Sequence, residues 1–199
     1  MISAIILGAG QSRRMGQPKL LLPWGNVTIL EQVISAFGEA GIDDILVITG
    51  GAREQVEDII SKCSKAHPVR SAYNKEYENG EMLSSIQCGL RVLADGAAGA
   101  AMIGLGDQPQ VQESTVRSVR DMYLQMDRPL VVPSYQMRRG HPWLVARSLW
   151  SDILGMSRAQ TPRDFLNAHA GDIYYVEMES PSILADLDTP EEYRRTRPQ

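Results

Sequence analysis

Five short runs of the chain are apolar along most of their length: SAIILG near the N-terminus, DILVIT at 44–49, VRSAY at 69–73, GAAMIGL at 99–105, and PLVVPS. A strand that is apolar on both faces must be covered on both faces, which is the situation of a parallel sheet between two layers of helices. The intervening segments supply those helices. Leu30, Val33, Ile34 and Phe37 recur at helical spacing, as do Val56, Ile59, Ile60 and Cys63. Leu83, Ile86, Leu90 and Leu93 repeat the pattern, and so do Val116, Val119, Tyr123 and Met126. Thr28 with Glu31 forms a capping box at the head of the first helix, and the stretch from Gly38 to Gly41 ends it. Strand and helix alternate about four times, which predicts one mostly parallel α/β domain over residues 1–199.

After Ser134 the pattern is less regular. Thr161-Pro162-Arg163-Asp164 places an N-cap before a proline at the first helical position, and Thr189-Pro190-Glu191-Glu192 repeats the device. DIYYVE at 172–177 reads as a late strand.

The net charge of −4 argues against general nucleic-acid binding but leaves room for a local basic pocket. No apolar run approaches the roughly 18 residues of a membrane-spanning helix, and the opening MISAIILGAG lacks a basic leader. A cytoplasmic protein without nucleic-acid or membrane partners is the expectation. Cys63 and Cys88 sit in apolar helical patterns and read as buried free thiols. His67 and His169 fall near helix ends and read as surface residues; the three tryptophans read as packing residues, with Trp143 the one placed to flank a flat ligand.

The stretch ILGAGQSRRMGQPK follows the first strand, where an open α/β sheet presents its ligand edge. Its glycines let backbone N–H groups approach an anion, and Arg13, Arg14 and Lys19 put three positive charges within seven residues. Such a loop suits a polyphosphate. It is neither standard phosphate loop: Arg13 stands where G-x-G-x-x-G needs its third glycine, and Lys19 lies between Pro18 and Leu20, not in Gly-Lys-Ser/Thr.

The pattern L-x-A-G-x-S-x-R-M-G-x-x-K-x-L, filled by Leu7, Ala9, Gly10, Ser12, Arg14, Met15, Gly16, Lys19 and Leu21, resembles the signature loop of the MobA-like NTP transferases. GLGDQP, RGHPWL and DLDTPEE extend the resemblance over nearly the whole chain, and within that family it is most similar to the molybdenum cofactor cytidylyltransferases. The resemblance implies a Rossmann-like, three-layer α/β/α nucleotidyltransferase fold of the GT-A-like kind. It also implies that the loop, Gly8 and Arg13 included, wraps a nucleotide, with Arg14 and Lys19 on its phosphates. Asn74, Gly80, Met82 and Ser85 match a second nucleotide-contacting segment, and Arg139, Gly140 and His141 match a loop lining the acceptor pocket.

Asp107 directly follows the fourth apolar run, a functional address for a carboxylate. With Asp188 or Asp186, two residues apart before the last helix, it suits Mg²⁺ or Mn²⁺, which takes one or two carboxylates plus phosphate oxygens. The resemblance favours Asp188, the acid just before Thr189-Pro190-Glu191, and Gln108 and Pro109 read as shaping the turn. Arg14, Lys19 and Asp107 are the expected catalytic residues. The resemblance implies a reaction that moves CMP from CTP to a molybdopterin-type acceptor with release of pyrophosphate; Ala9 in LGAG matches the cytidylyl branch of the family. Alternatives are a guanylyl or a sugar- or polyol-phosphate nucleotidyltransferase, an NAD(P)-linked oxidoreductase, or a maturation factor for a molybdoenzyme, which is also an expected partner.

Overall fold

The computed structural model describes residues 1–198; the side chain of Arg13, one of the expected phosphate ligands, lies outside what is described. The elements in chain order are β1 (Ile2–Gly8), a small hairpin of β2 (Pro23–Trp24) and β3 (Val27–Thr28), α1 (Ile29–Glu39), β4 (Asp44–Thr49), α2 (Arg53–Cys63) and β5 (Val69–Tyr73). There follow α3 (Glu81–Ala94), β6 (Ala100–Leu105), α4 (Glu113–Gln125), β7 (Leu130–Tyr135), β8 (Arg138–Arg139) and β9 (Trp143–Ala146). The chain ends with α5 (Trp150–Leu154), α6 (Pro162–Ala168), β10 (Ile173–Glu177) and α7 (Pro190–Thr196).

The main sheet runs β10-β7-β9-β6-β1-β4-β5, with β8 hydrogen-bonded to β7. The pairs β1/β4, β1/β6, β4/β5 and β7/β10 are parallel, and β9 runs antiparallel between β6 and β7. The sheet is therefore mostly parallel, as expected. The antiparallel β9 was not expected: its sequence, WLVA, lies in the stretch after Ser134 where the pattern is less regular. Ala100–Leu105, Leu130–Tyr135 and Ile173–Glu177 match the expected strands to within a residue or two.

Strand alternation splits the core into two layers. In β1, Ala4 and Ile6 pack with α1, α2 and α4, while Ile5 faces α3, α5 and α6. In β4, Ile45 and Val47 take the first side and Leu46 and Ile48 the second. That two-sided burial explains why these strands read as continuous apolar runs. β5 is the exception: it is an edge strand, half-exposed, and Arg70 on it reaches Asp44 with a two-pronged bond of 2.8 and 3.0 Å.

All three threonine caps close as reciprocal boxes, Thr28 with Glu31, Thr161 with Asp164 and Thr189 with Glu192. Three side-chain expectations need correction. Both cysteines are half-buried, not sealed; burial still pushes each thiol above its usual range. His169 has partners: it lies against Phe165 with its two ring nitrogens 3.0 Å from Asp172 and 3.3 Å from Asp152. Trp143 is buried in the core beside Phe165 and flanks no open surface.

Candidate active site

Parallel pairing brings the carboxyl ends of β1 and β6 side by side, with Leu7 opposite Leu105. Gly106 N–H donates to the Leu7 carbonyl at 3.0 Å, so the glycine-rich loop leaves β1 directly beside the turn that carries Asp107. Gly106 permits that closeness, since a Cβ there would stand 3.0 Å from the Leu7 carbonyl oxygen. A Cβ at Gly8 would stand 3.1 Å from the Ile48 carbonyl oxygen and 3.2 Å from a Leu20 methyl.

The loop is not a floppy tether. It makes two turns of 3-10 helix, at Arg13–Met15 and Lys19–Leu21, and buries Met15 and Leu20. Ser12 and Gly16 adopt left-handed backbone at φ 49° and 68°. The Ser12 hydroxyl accepts from Lys19 N–H at 3.0 Å, and its carbonyl accepts from Met15 N–H at 2.9 Å. These bonds fold the loop back so that Lys19 points into the cleft.

The third wall comes from the far end of the chain. Leu187 is fully buried and anchors the segment before α7. The Asp188 and Thr189 N–H groups both donate to Glu192 at 3.0 Å, and Tyr193 O–H donates to the Pro23 carbonyl at 2.6 Å. Helix capping thus fixes Asp188, and the tyrosine ties α7 to β2, just after the glycine-rich loop.

Lys19 stands where the three walls meet. Its Nζ is paired with Asp107, lies 3.3 Å from Asp188 and donates to the Leu187 carbonyl at 3.2 Å. Arg14 reaches the other oxygen of Asp188 at 2.8 Å. Burial works against the charge on Lys19, but Asp107 and then Asp188 outweigh it and hold the ammonium above its ordinary pKa. The cleft in front of this cluster has a volume of about 400 Å³.

Of the expected nucleotide ligands, Leu7, Gly8, Gly10, Ser12, Arg14, Met15 and Lys19 line the cleft, together with Asp107 and Asp188. Ala9, Gly16, Gly80 and Met82 are not among the lining residues. Asn74 and Ser85 are buried and bonded to each other, Asn74 Nδ2 donating to Ser84 at 2.8 Å and Ser85 at 3.1 Å. That network braces the start of α3. The wall on this side is instead made by Tyr77, Glu78 and Glu81, which sequence reasoning missed along with Gln11 and Leu20. Glu81 opens α3 with φ 48°, a conformation that no helical periodicity signals.

The expected acceptor residues lie off this cleft. Arg139 donates to Tyr175 O–H at 2.9 Å and to Asn167 at 2.7 Å. Gly140 packs against Ile183, and His141 N–H donates to the Ile183 carbonyl at 3.1 Å. Asp186 does not line the cleft; Gln108 Nε2 donates to it at 2.7 Å.

The oxygens of Asp107, Asp188 and Leu187 that surround one ammonium are an all-oxygen donor set, the chemistry that suits a hard divalent cation. Among the described residues there is no cluster of three or more His, Cys, Asp or Glu around one point. Any metal held here would therefore complete its shell with substrate oxygens and water.

Comparison with known proteins bears on the family and the fold. The chain is 27% identical to the molybdenum cofactor cytidylyltransferase of Escherichia coli (strain K12), over 96% of this chain and 93% of that one. It is 26% identical to the nicotine blue oxidoreductase of Paenarthrobacter nicotinovorans, over 98% of this chain and 95% of that one. The structure of a nucleotidyl transferase from Methanothermobacter thermautotroptrophicus superposes with a TM-score of 0.81 at 26% identity, covering 99% of this chain and 96% of that one. The MobA-like NTP transferase domain matches residues 4–173, and with it the glycine loop, the Asp107 turn and most of the sheet between them; the chain belongs to that family.

Proposed function

We propose that this nucleotidyltransferase transfers CMP from CTP to a molybdopterin-type acceptor and releases pyrophosphate. The observation that carries the reading is the meeting of Lys19, Arg14, Asp107 and Asp188 around a cleft of nucleotide size, beside a glycine-rich loop. A phosphate oxygen of the acceptor attacks the α-phosphorus, and the bond to the β-phosphate oxygen breaks. A phosphate monoester is largely dianionic at pH 7 and needs no general base. Lys19 and Arg14 leave their carboxylates for the triphosphate and neutralise charge on the departing pyrophosphate. The Arg14–Asp188 pair is exposed, and such pairs are worth about 0.2–1 kcal/mol, so redirecting Arg14 costs little. Asp107, Asp188 and the Leu187 carbonyl would hold Mg²⁺ or Mn²⁺, which supplies charge stabilisation to the triphosphate.

The CTP preference draws on Ala9 in the loop and on the name of the 27%-identical relative. Glu78 and Glu81 line the same cleft and supply carboxylates that accept from an exocyclic base amine, a feature that cytosine shares with guanine and adenine. Arg139, Gly140 and His141 serve the acceptor side in this reading. The test is to incubate the protein with Mg²⁺, molybdopterin and each nucleoside triphosphate and to measure pyrophosphate. A second reading, NAD(P)-linked reduction, draws on the relative named nicotine blue oxidoreductase. Dye-coupled oxidation of NADPH without pyrophosphate release would favour it.

A further inference from the structure

Gln108 follows the Asp107 carboxylate and turns its own side chain the other way. It is 2% exposed and sits among Val33, Phe37, Val111 and Pro142. Its Nε2 donates to Asp186 at 2.7 Å, while its Oε1 is sealed from solvent with no partner among the described residues. Burying an amide with an orphaned oxygen among apolar side chains is unfavourable. An aliphatic side chain would serve the core better, so the bond to Asp186 is what the amide contributes.

That bond joins the two segments that bear the carboxylates facing Lys19. Gln108 is one residue from Asp107, and Asp186 is two residues from Asp188. Asp186 is solvent-exposed and lies outside the lining of the cleft. A third carboxylate turned toward Asp107 and Asp188 would repel both. Gln108 takes up Asp186 and leaves Asp107 and Asp188 to face the cleft.

We propose that Gln108 is a positioning residue: by holding Asp186 out of the cleft, it sets the spacing of Asp107 and Asp188 and hence the affinity for a divalent cation. The proposal rests on the nucleotidyl-transfer reading. Its chemistry depends on hydrogen-bond polarity, not on side-chain bulk. Gln108→Glu keeps the size but sets a second carboxylate against Asp186. Asp186→Asn keeps an acceptor for the Gln108 amide. Gln108→Glu with Asp186→Asn rebuilds the bond with donor and acceptor exchanged.

The measurement is Mn²⁺ uptake by the full chain in the presence of CTP, read by electron paramagnetic resonance. Gln108→Glu is expected to weaken uptake at least tenfold, Asp186→Asn to stay within about threefold of wild type, and the exchanged pair to recover to about that level. Wild-type uptake by folded Gln108→Glu, or a large loss in Asp186→Asn, overturns the proposal. If Gln108→Glu does not fold, the exchanged pair decides alone: recovered uptake supports the proposal and loss overturns it. A wild-type protein that takes up no Mn²⁺ with CTP overturns the nucleotide reading itself and this proposal with it. Normal wild-type uptake beside unchanged uptake in Gln108→Glu overturns only the proposal.

Discussion

Arg14 and Asp188 are 174 positions apart in sequence and 2.8 Å apart in space. The pair closes the cleft from opposite ends of the chain, and Lys19 doubles the closure through its own bonds to Asp188 and Leu187. The cation cluster is thus also the seam between the first loop and the last helix.

Lys19→Ala is expected to lower nucleotidyl transfer by more than about 10²-fold with the fold intact, since a fixed charge on a developing oxyanion contributes roughly 3 kcal/mol. Steady-state turnover at saturating nucleotide is the check, and near wild-type turnover would remove Lys19 from the phosphates.

A companion variant reads the ground state. Lys19→Met takes the ammonium away from the three oxygens around it. Mn²⁺ binding without nucleotide should then tighten severalfold, measured by calorimetry. Unchanged or weaker binding would mean that these oxygens do not form the metal site.

Asp107→Asn is expected to abolish metal-dependent transfer while costing less than about 2 kcal/mol of stability. The side chain is only 20% exposed, yet Lys19 keeps Asp188 and the Leu187 carbonyl as partners. Urea unfolding and pyrophosphate release, run on the same preparation, separate the two effects; an inactive variant that has also unfolded would make Asp107 a structural residue.

His141 gives a pH dependence. Its Nε2 is sealed without a partner among the described residues, and burial pushes its pKa down from 6.5 to about 4. Between those values the unfolded chain binds a proton that the folded chain does not. Stability is therefore full above pH 6.5 and declines as pH falls toward 4, by about 3 kcal/mol at most. Urea midpoints at pH 7 and pH 5 check this, and His141→Gln should flatten the difference.

The sequence was most legible where one periodicity and one burial rule coincide. Ile5 and Ile6 face opposite layers of helices, so β1 could only read as a continuous apolar run, and the fold class followed. β9 hid because Trp143, Leu144 and Val145 make too short a run, next to Gly140 and Pro142, to separate from a loop. Within the cleft, Arg14, Lys19, Asp107 and Asp188 were readable because charged residues beside glycines or at strand ends have few structural uses. Tyr77, Glu78 and Glu81 were not. Their position depends on how Gly80 packs against Ser84 and on the left-handed turn at Glu81, neither of which leaves a pattern in the residue types. Ser85 showed the converse failure: a polar residue early in α3 suggested a ligand, and Asn74 was its partner.

The most direct measurement is a competition in which equal CTP and GTP are offered with Mg²⁺ and molybdopterin, and the nucleotide joined to molybdopterin is identified by mass spectrometry. The account predicts the cytosine dinucleotide as the main product, with one pyrophosphate released for each. Absence of any nucleotide-linked molybdopterin, or a product made mainly from GTP, would contradict it.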